Sequence, residues 1–595
     1  MIDNHYENHN GSVKGFTDKF LKFCNSTVTV IMIILLGYLF LLSIFDTSML
    51  AWTTMISEDG TTEKTMYLTD DPIFHITAIA LIIMLGYLIV SKCKKLSPKT
   101  LKMILIIVHV AVAIALFACI LIFDYMPVND QHTVLDSADK LVHGDYSPWQ
   151  SGGKNYIFPW LNSLTLLFAL PVYLFGINGS IITIRIFNIG MLLLASYSLY
   201  GFCKECGLKS AVASLGFILY LPVSLYIFFV YGNLACMSLS MFSIWMAVRY
   251  LNHRRKRDGL FTVAALSIAA LYKEHALITM IAIIIVIGVY SITSRCLKQL
   301  LWIPVIVLVY FCSGFAVDTT IQTVTGEEIE ADIDVYACLY IGITEGERAN
   351  GWYIPINTFL LERYNYDYDL YNERMKALYQ EHANSFWKDP GYVVDFFAKK
   401  SASQWNNPTF QSIWNIQAML IVNQIIREEG EKLDLSSLWI DGAFSNMLFY
   451  YIFNLIQSLI LFGSLWYFVF DSRKAALPVL LPAITFIGGY IFLFIWEAKA
   501  QYTFMFFVML FPYAATGWHS VITRFKRLVD SAKEKRWYRS GEVIFLACLT
   551  GLILLLTYAD IKPLNTVFKL GVDDEYYEEY LEQNAYIFEQ VFGTD

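Results

Sequence analysis

Residues 123–160 read FDYMPVNDQHTVLDSADKLVHGDYSPWQSGGKNYIFPW. One apolar run ends at Phe123 and another begins near Phe158, and the polar stretch between them carries Asp124, Asp130, Asp136 and Asp139. An ionisable group at the lip of a membrane span is costly, so it marks a functional site unless it merely faces water. A solvated loop accounts for any one of these acids. Asp130, inside Pro127-Val128-Asn129-Asp130-Gln131, is the one that the rest of the chain argues for.

The fold turns on whether the apolar run after this stretch, 158–176, crosses the bilayer. The chain has 595 residues, 56% of them hydrophobic and 16% charged. That exceeds the roughly 45–50% apolar content of soluble domains. The expectation is an all-α polytopic membrane protein. Lys and Arg collect in cytoplasmic loops, which puts the N-terminus (1–27), with Lys14, Lys19 and Lys22, inside and a first span at 28–46. The acidic loop holding Glu58, Asp59, Asp70 and Asp71 then lies outside. A span at 73–91 returns to Lys92, Lys94, Lys95, Lys99 and Lys102, and one at 103–123 delivers the Asp130 loop outward. If 158–176 crossed, Arg254-Arg255-Lys256-Arg257 would face the wrong side. The run is therefore read as a juxtamembrane or re-entrant helix pair on the outer surface, tolerable where protein buries it. Spans at 181–202, 211–231 and 234–250 then bring the basic run inside, a segment from 259 reaches Lys273-Glu274-His275, and 276–293 and 299–316 follow. Spans at 444–470, 475–495, 501–518 and 543–558 complete about thirteen, with the basic 524–539 loop inside and the acidic tail 559–595 outside.

Seven parts result: the N-terminus 1–27, spans within 28–123, the outer loop 124–180, a bundle at 181–316, a polar segment 317–441, a bundle at 442–558 and the tail. The polar segment is too long for a bare connection and is expected to be a mostly helical extracytoplasmic domain. The net charge of -8 conceals this segregation by loop. Ten scattered cysteines form no disulfide framework, Cys203-Lys204-Glu205-Cys206 being a lone CxxC at a helix end. No cleavable leader is expected, because the first apolar run starts only near Thr27.

This map sets Asp130, Asn233, Lys273-Glu274-His275 and Glu497-Ala498-Lys499 at outer ends of spans. Lys273, Lys499, Arg185 and Arg348 supply cations for an anionic head group, while Asp130 and Glu497 supply acid. Each has a plain structural alternative. Long lysines snorkel to the interface, Glu497 can pair with Lys499, and lone His132 and His275 are more often hydrogen-bonding groups than ligands. No His/Cys spacing signals a metal.

The chain resembles the membrane glycosyltransferases of the C superfamily, and within it the protein O-mannosyltransferase and aminoarabinose transferase type. The resemblance runs over about 100–520. It is carried by the loop acid, Tyr156-Ile157-Phe158-Pro159, the Gly176-to-Arg185 opening of the next span, Asn233 and a basic residue two spans on. Residues 342–353 (GITEGERANGWY), 400–409 (KSASQWNNPT) and 496–502 (WEAKAQY) are similar to family landmarks. The resemblance implies an inverting enzyme that moves a sugar from a polyprenyl phosphate to an extracytoplasmic hydroxyl of a glycan, glycolipid or protein, without cofactor or nucleic acid. Asp130 would be the general base, and Lys273, Arg185, Arg348 and Lys499 would hold the phosphate. Asn233, Glu274, His275, Glu497, Tyr502 and Trp405 would position acceptor or sugar. Asn233 replaces an acid of many relatives, and an amide cannot act as a base at neutral pH. A transporter or flippase of lipid-linked or acidic solutes, or a polysaccharide ligase or polymerase, are the competing expectations. The first two spans have no assigned role.

Overall fold

The computed structural model describes residues 11–52, 63–92, 96–123, 125–328, 333–416, 418–419, 442–497, 499–531 and 540–570. Eleven helices among them are long and apolar enough to cross a membrane, and a pair bent by 61°, Ser210–Ile218 with Leu221–Phe228, makes a twelfth if it is one span. Lys256–Tyr272, with 17 residues, is a further helix just below that length. Eleven to twelve candidate spans thus stand among the described residues against about thirteen expected, Lys256–Tyr272 being the short one. The acids of the tail from Asp573 onward, Asp124 and Ala498 lie outside the described residues.

Burial sorts the helices into centre and rim. Asn233–His253 and Phe449–Phe470 are mostly enclosed by protein, whereas Pro72–Lys92, Pro98–Ile122, Leu297–Thr325 and Gly541–Tyr558 are mostly open. The open ones present Leu85, Ile89, Ile106, Ile114, Leu308, Phe315 and Leu555 outward. Every backbone group in such a helix is bonded within it, which hydrocarbon surroundings require.

The run after the Asp130 stretch breaks at Gly176. Asn162–Glu205 is helical on both sides of this residue, whose φ of 67° and ψ of 177° are non-helical. Only glycine enters that region without a steric penalty. The break separates 162–175 from the long helix that carries Arg185, the boundary expected between 158–176 and 181–202.

Two features differ from expectation. The loop after the first span is not bare. Asp46–Trp52 and Glu63–Thr69 pair antiparallel, with Met49 opposite Met66, and Met49, Met66 and Leu68 bury against Tyr450. The basic 524–539 loop is in part helix, because Phe511–Ser531 runs on through Arg524, Lys526 and Arg527. There Arg524 is held by Asp471 at 2.8 Å and by Glu542.

The polar segment contains Val335–Gly342, Ile356–Arg363, Tyr368–Phe386 and Pro390–Trp405. Side-chain caps start two of them: Asp367 Oδ1 accepts from Leu370 N at 3.0 Å, and Asp389 Oδ1 from Gly391 N at 2.9 Å. Such caps satisfy amides that the first turn leaves unbonded. The first three share a small core with Ile157, in which Ala337, Leu360, Leu361, Tyr371 and Met375 are buried, and Phe396 of the fourth packs with Ile343 and Phe386. The polar segment thus sits on the stretch that follows Asp130.

Candidate active site

Asp130 opens the helix Asp130–His143 and is exposed. Its position is fixed from both sides. Gln131 Oε1 accepts from Val230 N at 2.8 Å. Arg185, 1% exposed, donates to Phe123 O at 3.1 Å and Tyr125 O at 2.7 Å. Asn129, immediately before, has a φ of 55° and a ψ of -138°, outside the left-handed helical region and a sparsely populated setting for a residue other than glycine.

Lys273 stands in the break between Lys256–Tyr272 and Ala276–Thr293. Its Nζ donates to Asn233 Oδ1 at 3.1 Å and lies 4.5 Å from the Tyr502 ring centroid and 5.3 Å from that of Tyr231. Two aromatic faces and an amide thus cage the ammonium. Burial lowers its pKa to about 8, against the pull of Asp130. Gly232 permits the arrangement: a Cβ there would fall 2.0 Å from Tyr272 O, so only glycine lets Tyr231 and Asn233 close on this segment.

His275 packs at 5.0 Å on Tyr502 and 5.8 Å on Phe492. Burial, then the Lys273 charge, keep its imidazole neutral. Glu274 is exposed, and its carbonyl accepts from Tyr310 OH at 3.4 Å.

Glu497 and Lys499 occupy the break between Leu481–Ile495 and Ala500–Phe507. Burial pushes the Glu497 carboxyl up to about 7, with Lys499 opposing the rise, Asp130 adding to it, and Lys273 and Arg348 also opposing. Glu497 is therefore within electrostatic reach of Asp130 and all three cations. Lys499 Nζ donates to Glu63 Oε1 at 2.9 Å and lies 6.0 Å from the Trp352 ring. Arg348 Nε lies 3.8 Å from Glu63 Oε2, and its guanidinium lies 5.4 Å from the Tyr353 ring.

Residues 342–353 form the wall beside Glu497. Gly342 brings them against the chain, since a Cβ there would fall 2.4 Å from Ile495 O, and Gly351 has a φ of +73°. Lys400, 0% exposed, donates to Gly342 O at 2.6 Å and Trp496 O at 2.8 Å. Burial lowers its pKa to about 7.

Asp130, Asn233, Lys273, Glu274, His275, Arg348, Glu497, Lys499 and Tyr502 thus share one neighbourhood. Two other expected site residues make different contacts. Arg185 secures carbonyls of the loop leading to Asp130, and Trp405 is buried against Phe486 and Tyr490 at 5.3 and 5.4 Å. Glu63, Lys400, Tyr231 and Tyr353 join the site without having been singled out in the sequence. Lys400 at the head of 400–409, Tyr353 at the end of 342–353 and Tyr231 two residues before Asn233 lay in or beside stretches the sequence marked, and Glu63 did not. Among the described residues no group of three or more His, Cys, Asp and Glu is placed to hold a metal ion.

No family model matches the chain. No curated protein matches it either. Among solved structures it is similar to the archaeal oligosaccharyltransferase AglB from Archaeoglobus fulgidus, in complex with an inhibitory peptide and a dolichol-phosphate, at a TM-score of 0.35 and 13% identity, covering 80% of this chain and 56% of that one. An oligosaccharyltransferase of the same organism in the apo form gives a TM-score of 0.34 and 13% identity, with 80% and 59% covered. The chain spans a little over half the length of these structures.

Proposed function

We propose that this protein is an outward-facing, inverting glycosyltransferase that moves a sugar from a polyprenyl-phosphate donor to a hydroxyl outside the membrane. The observation that carries the reading is an exposed carboxylate, Asp130, near a caged ammonium, Lys273, held by Asn233, Tyr231 and Tyr502 and under the pull of the Asp130 charge. The division of labour follows from the chemistry. An acceptor hydroxyl becomes a competent nucleophile when a carboxylate takes its proton, and Asp130 is open to an incoming acceptor. The oxygen attacks the anomeric carbon, the bond from that carbon to the phosphate oxygen breaks, and the electron pair leaves on the phosphate. A phosphate is already a stable anion and needs cations rather than an acid. Lys273, Lys499 and Arg348 would hold the charge that develops on it. Attack opposite the departing group inverts the anomeric centre.

Arg254, Arg255, Lys256 and Arg257 stand at the far end of Asn233–His253 from Asn233. The tendency of such residues to stay in the cytoplasm supports an outward-facing site.

The test supplies purified protein with polyprenyl-phosphate sugars and a crude envelope acceptor fraction, then repeats it with Asp130→Asn. Loss of transfer with retained donor binding is expected, since the substitution keeps size and removes the proton acceptor. Full activity in the variant would refute the role of Asp130, and solute flux in liposomes without transfer would identify a transporter.

A further inference from the structure

The first outer hairpin carries a carboxylate into the cation cluster. Its placement is set largely by bonds to the outer segment: Thr65 N donates to Arg348 O at 2.8 Å and Ser48 N to Asn406 O at 3.1 Å, Ser48 Oγ donates to Ala402 O at 2.8 Å, and Tyr67 OH donates to Lys399 O at 3.1 Å. None of these involves the side chain of Glu63, the first residue of the strand Glu63–Thr69. That side chain is 8% exposed and bridges Lys499 Nζ and Arg348 Nε, at 2.9 and 3.8 Å.

The bridge is incomplete. Glu63 Oε2 and Arg348 Nε are both buried and neither has a hydrogen-bond partner. Buried polar atoms are rarely left in that state. Here an acceptor lacks a donor beside a donor that lacks an acceptor, at a separation too long for a bond. A tetrahedral phosphate has more acceptor oxygens than a carboxylate and matches a guanidinium fork as well as an ammonium. It would satisfy both cations more fully than Glu63 does.

We propose that Glu63 is the resident counter-ion of Lys499 and Arg348 and is displaced from them by the phosphate of the incoming donor. The inference rests on reading these cations as part of the phosphate site. It gives the two N-terminal spans a role: they hold a hairpin whose acid keeps a half-buried cation pair from standing uncompensated when the site is empty, a state that costs heavily. Phosphate and carboxylate then compete for the same two donors.

A counter-ion and a residue that merely orients Lys499 make opposite predictions. Removing a competitor strengthens phosphate binding, whereas removing a support weakens it. The experiment titrates full-length protein with a short-chain prenyl phosphate, the matching prenyl alcohol and inorganic phosphate, comparing wild type, Glu63→Gln, Glu63→Asp and the double variant Glu63→Gln/Lys499→Met. Glu63→Gln should bind prenyl phosphate on the order of tenfold more tightly, the scale of one close charge pair at an interface. Prenyl alcohol should be unaffected, and Lys499→Met should abolish the gain. A gain for prenyl phosphate alone identifies a lipid head group, and an equal gain for inorganic phosphate identifies the free anion; both support displacement. Glu63→Asp keeps the charge on a shorter arm and should fall between wild type and Glu63→Gln. Equal or weaker binding by Glu63→Gln, a gain that survives Lys499→Met, or weaker binding by Glu63→Asp than by wild type overturns the proposal. Sugar transfer is scored separately. Tighter phosphate binding with no transfer to any acceptor keeps the counter-ion and discards the glycosyltransferase, and transfer without the gain does the reverse.

Discussion

Lys273 Nζ donates to Asn233 Oδ1 across 3.1 Å, and Asn233 Nδ2 in turn donates to Gln501 O at 3.4 Å. The amide is therefore a fixed bracket between the break after Tyr272 and the helix that follows Lys499. An asparagine suits this place because it offers an acceptor to the ammonium and a donor to the carbonyl at once.

Asn233→Leu keeps the volume and removes the bracket. The expected loss in kcat/KM is about tenfold, corresponding to about 1.4 kcal/mol for a hydrogen bond to a charged group. Asn233→Asp restores an acceptor with a full negative charge, which raises the Lys273 pKa. Its activity should persist to higher pH than that of wild type, as a profile of kcat/KM between pH 6 and 10 would show. An unchanged alkaline limb would separate Asn233 from the reacting charges.

Lys273 itself should set that limb. Its ammonium is present below a pKa of about 8 and is lost above it, because burial favours the neutral amine. Transfer should fall as pH rises through about 8, and Lys273→Arg should carry activity past that point, since guanidinium stays charged. Lys273→Met should lose about 10²–10³-fold in kcat, the scale of deleting one electrostatic stabiliser of a transition state.

Those groups could be brought together from the sequence because each sits next to the end of an apolar run. Counting crossings against the basic loops dictates which ends share a side, so Asp130, Asn233, Lys273 and Lys499 meet once the spans are placed. The break at Gly176 falls where a boundary was expected between 158–176 and 181–202, drawn because a full crossing at 158–176 would have inverted every later loop. The hairpin was not legible. Strands of seven residues between two spans become recognisable only through their mutual pairing and through Tyr450, almost four hundred residues away. Lys400 was marked only as the head of 400–409 and its role was not legible, because its acceptors are the carbonyls of Gly342 and Trp496 and no side-chain pattern announces a backbone oxygen. Arg185 and Trp405 show the converse: residue types that suit a site, held by carbonyls in one case and by aromatic packing in the other.

Gly232→Ala should damage the site without touching a charge. The added methyl would meet Tyr272 O at 2.0 Å, and the atoms it meets are Tyr272 backbone, which cannot swing aside as a side chain could. Asn233 and Tyr231 must then draw away from Lys273. The expectation is a loss of transfer at least as large as that of Asn233→Leu, with stability reduced by about 1–3 kcal/mol, as overpacking of a close contact costs. Thermal unfolding in detergent and the transfer assay read the two effects on one preparation.

Glu497 supplies a prediction whose size depends on pH. Burial raises its carboxyl to about 7, so it is largely protonated at pH 6 and largely ionised at pH 8. Glu497→Gln imitates the protonated form, and at pH 6 it should transfer sugar at close to the wild-type rate. At pH 8 the wild type has a negative charge that the variant lacks, and the Lys273 ammonium, which favours that charge on Glu497, should by the same coupling be held more firmly protonated. The variant should therefore lose several-fold in kcat/KM at pH 8, with its alkaline limb starting lower than about 8. Glu497→Asp, still ionisable, should follow the wild-type profile in shape. A Glu497→Gln deficit equal at pH 6 and pH 8 would mean that the side chain acts through its hydrogen bonds rather than its charge, and would remove Glu497 from the electrostatics of the cluster.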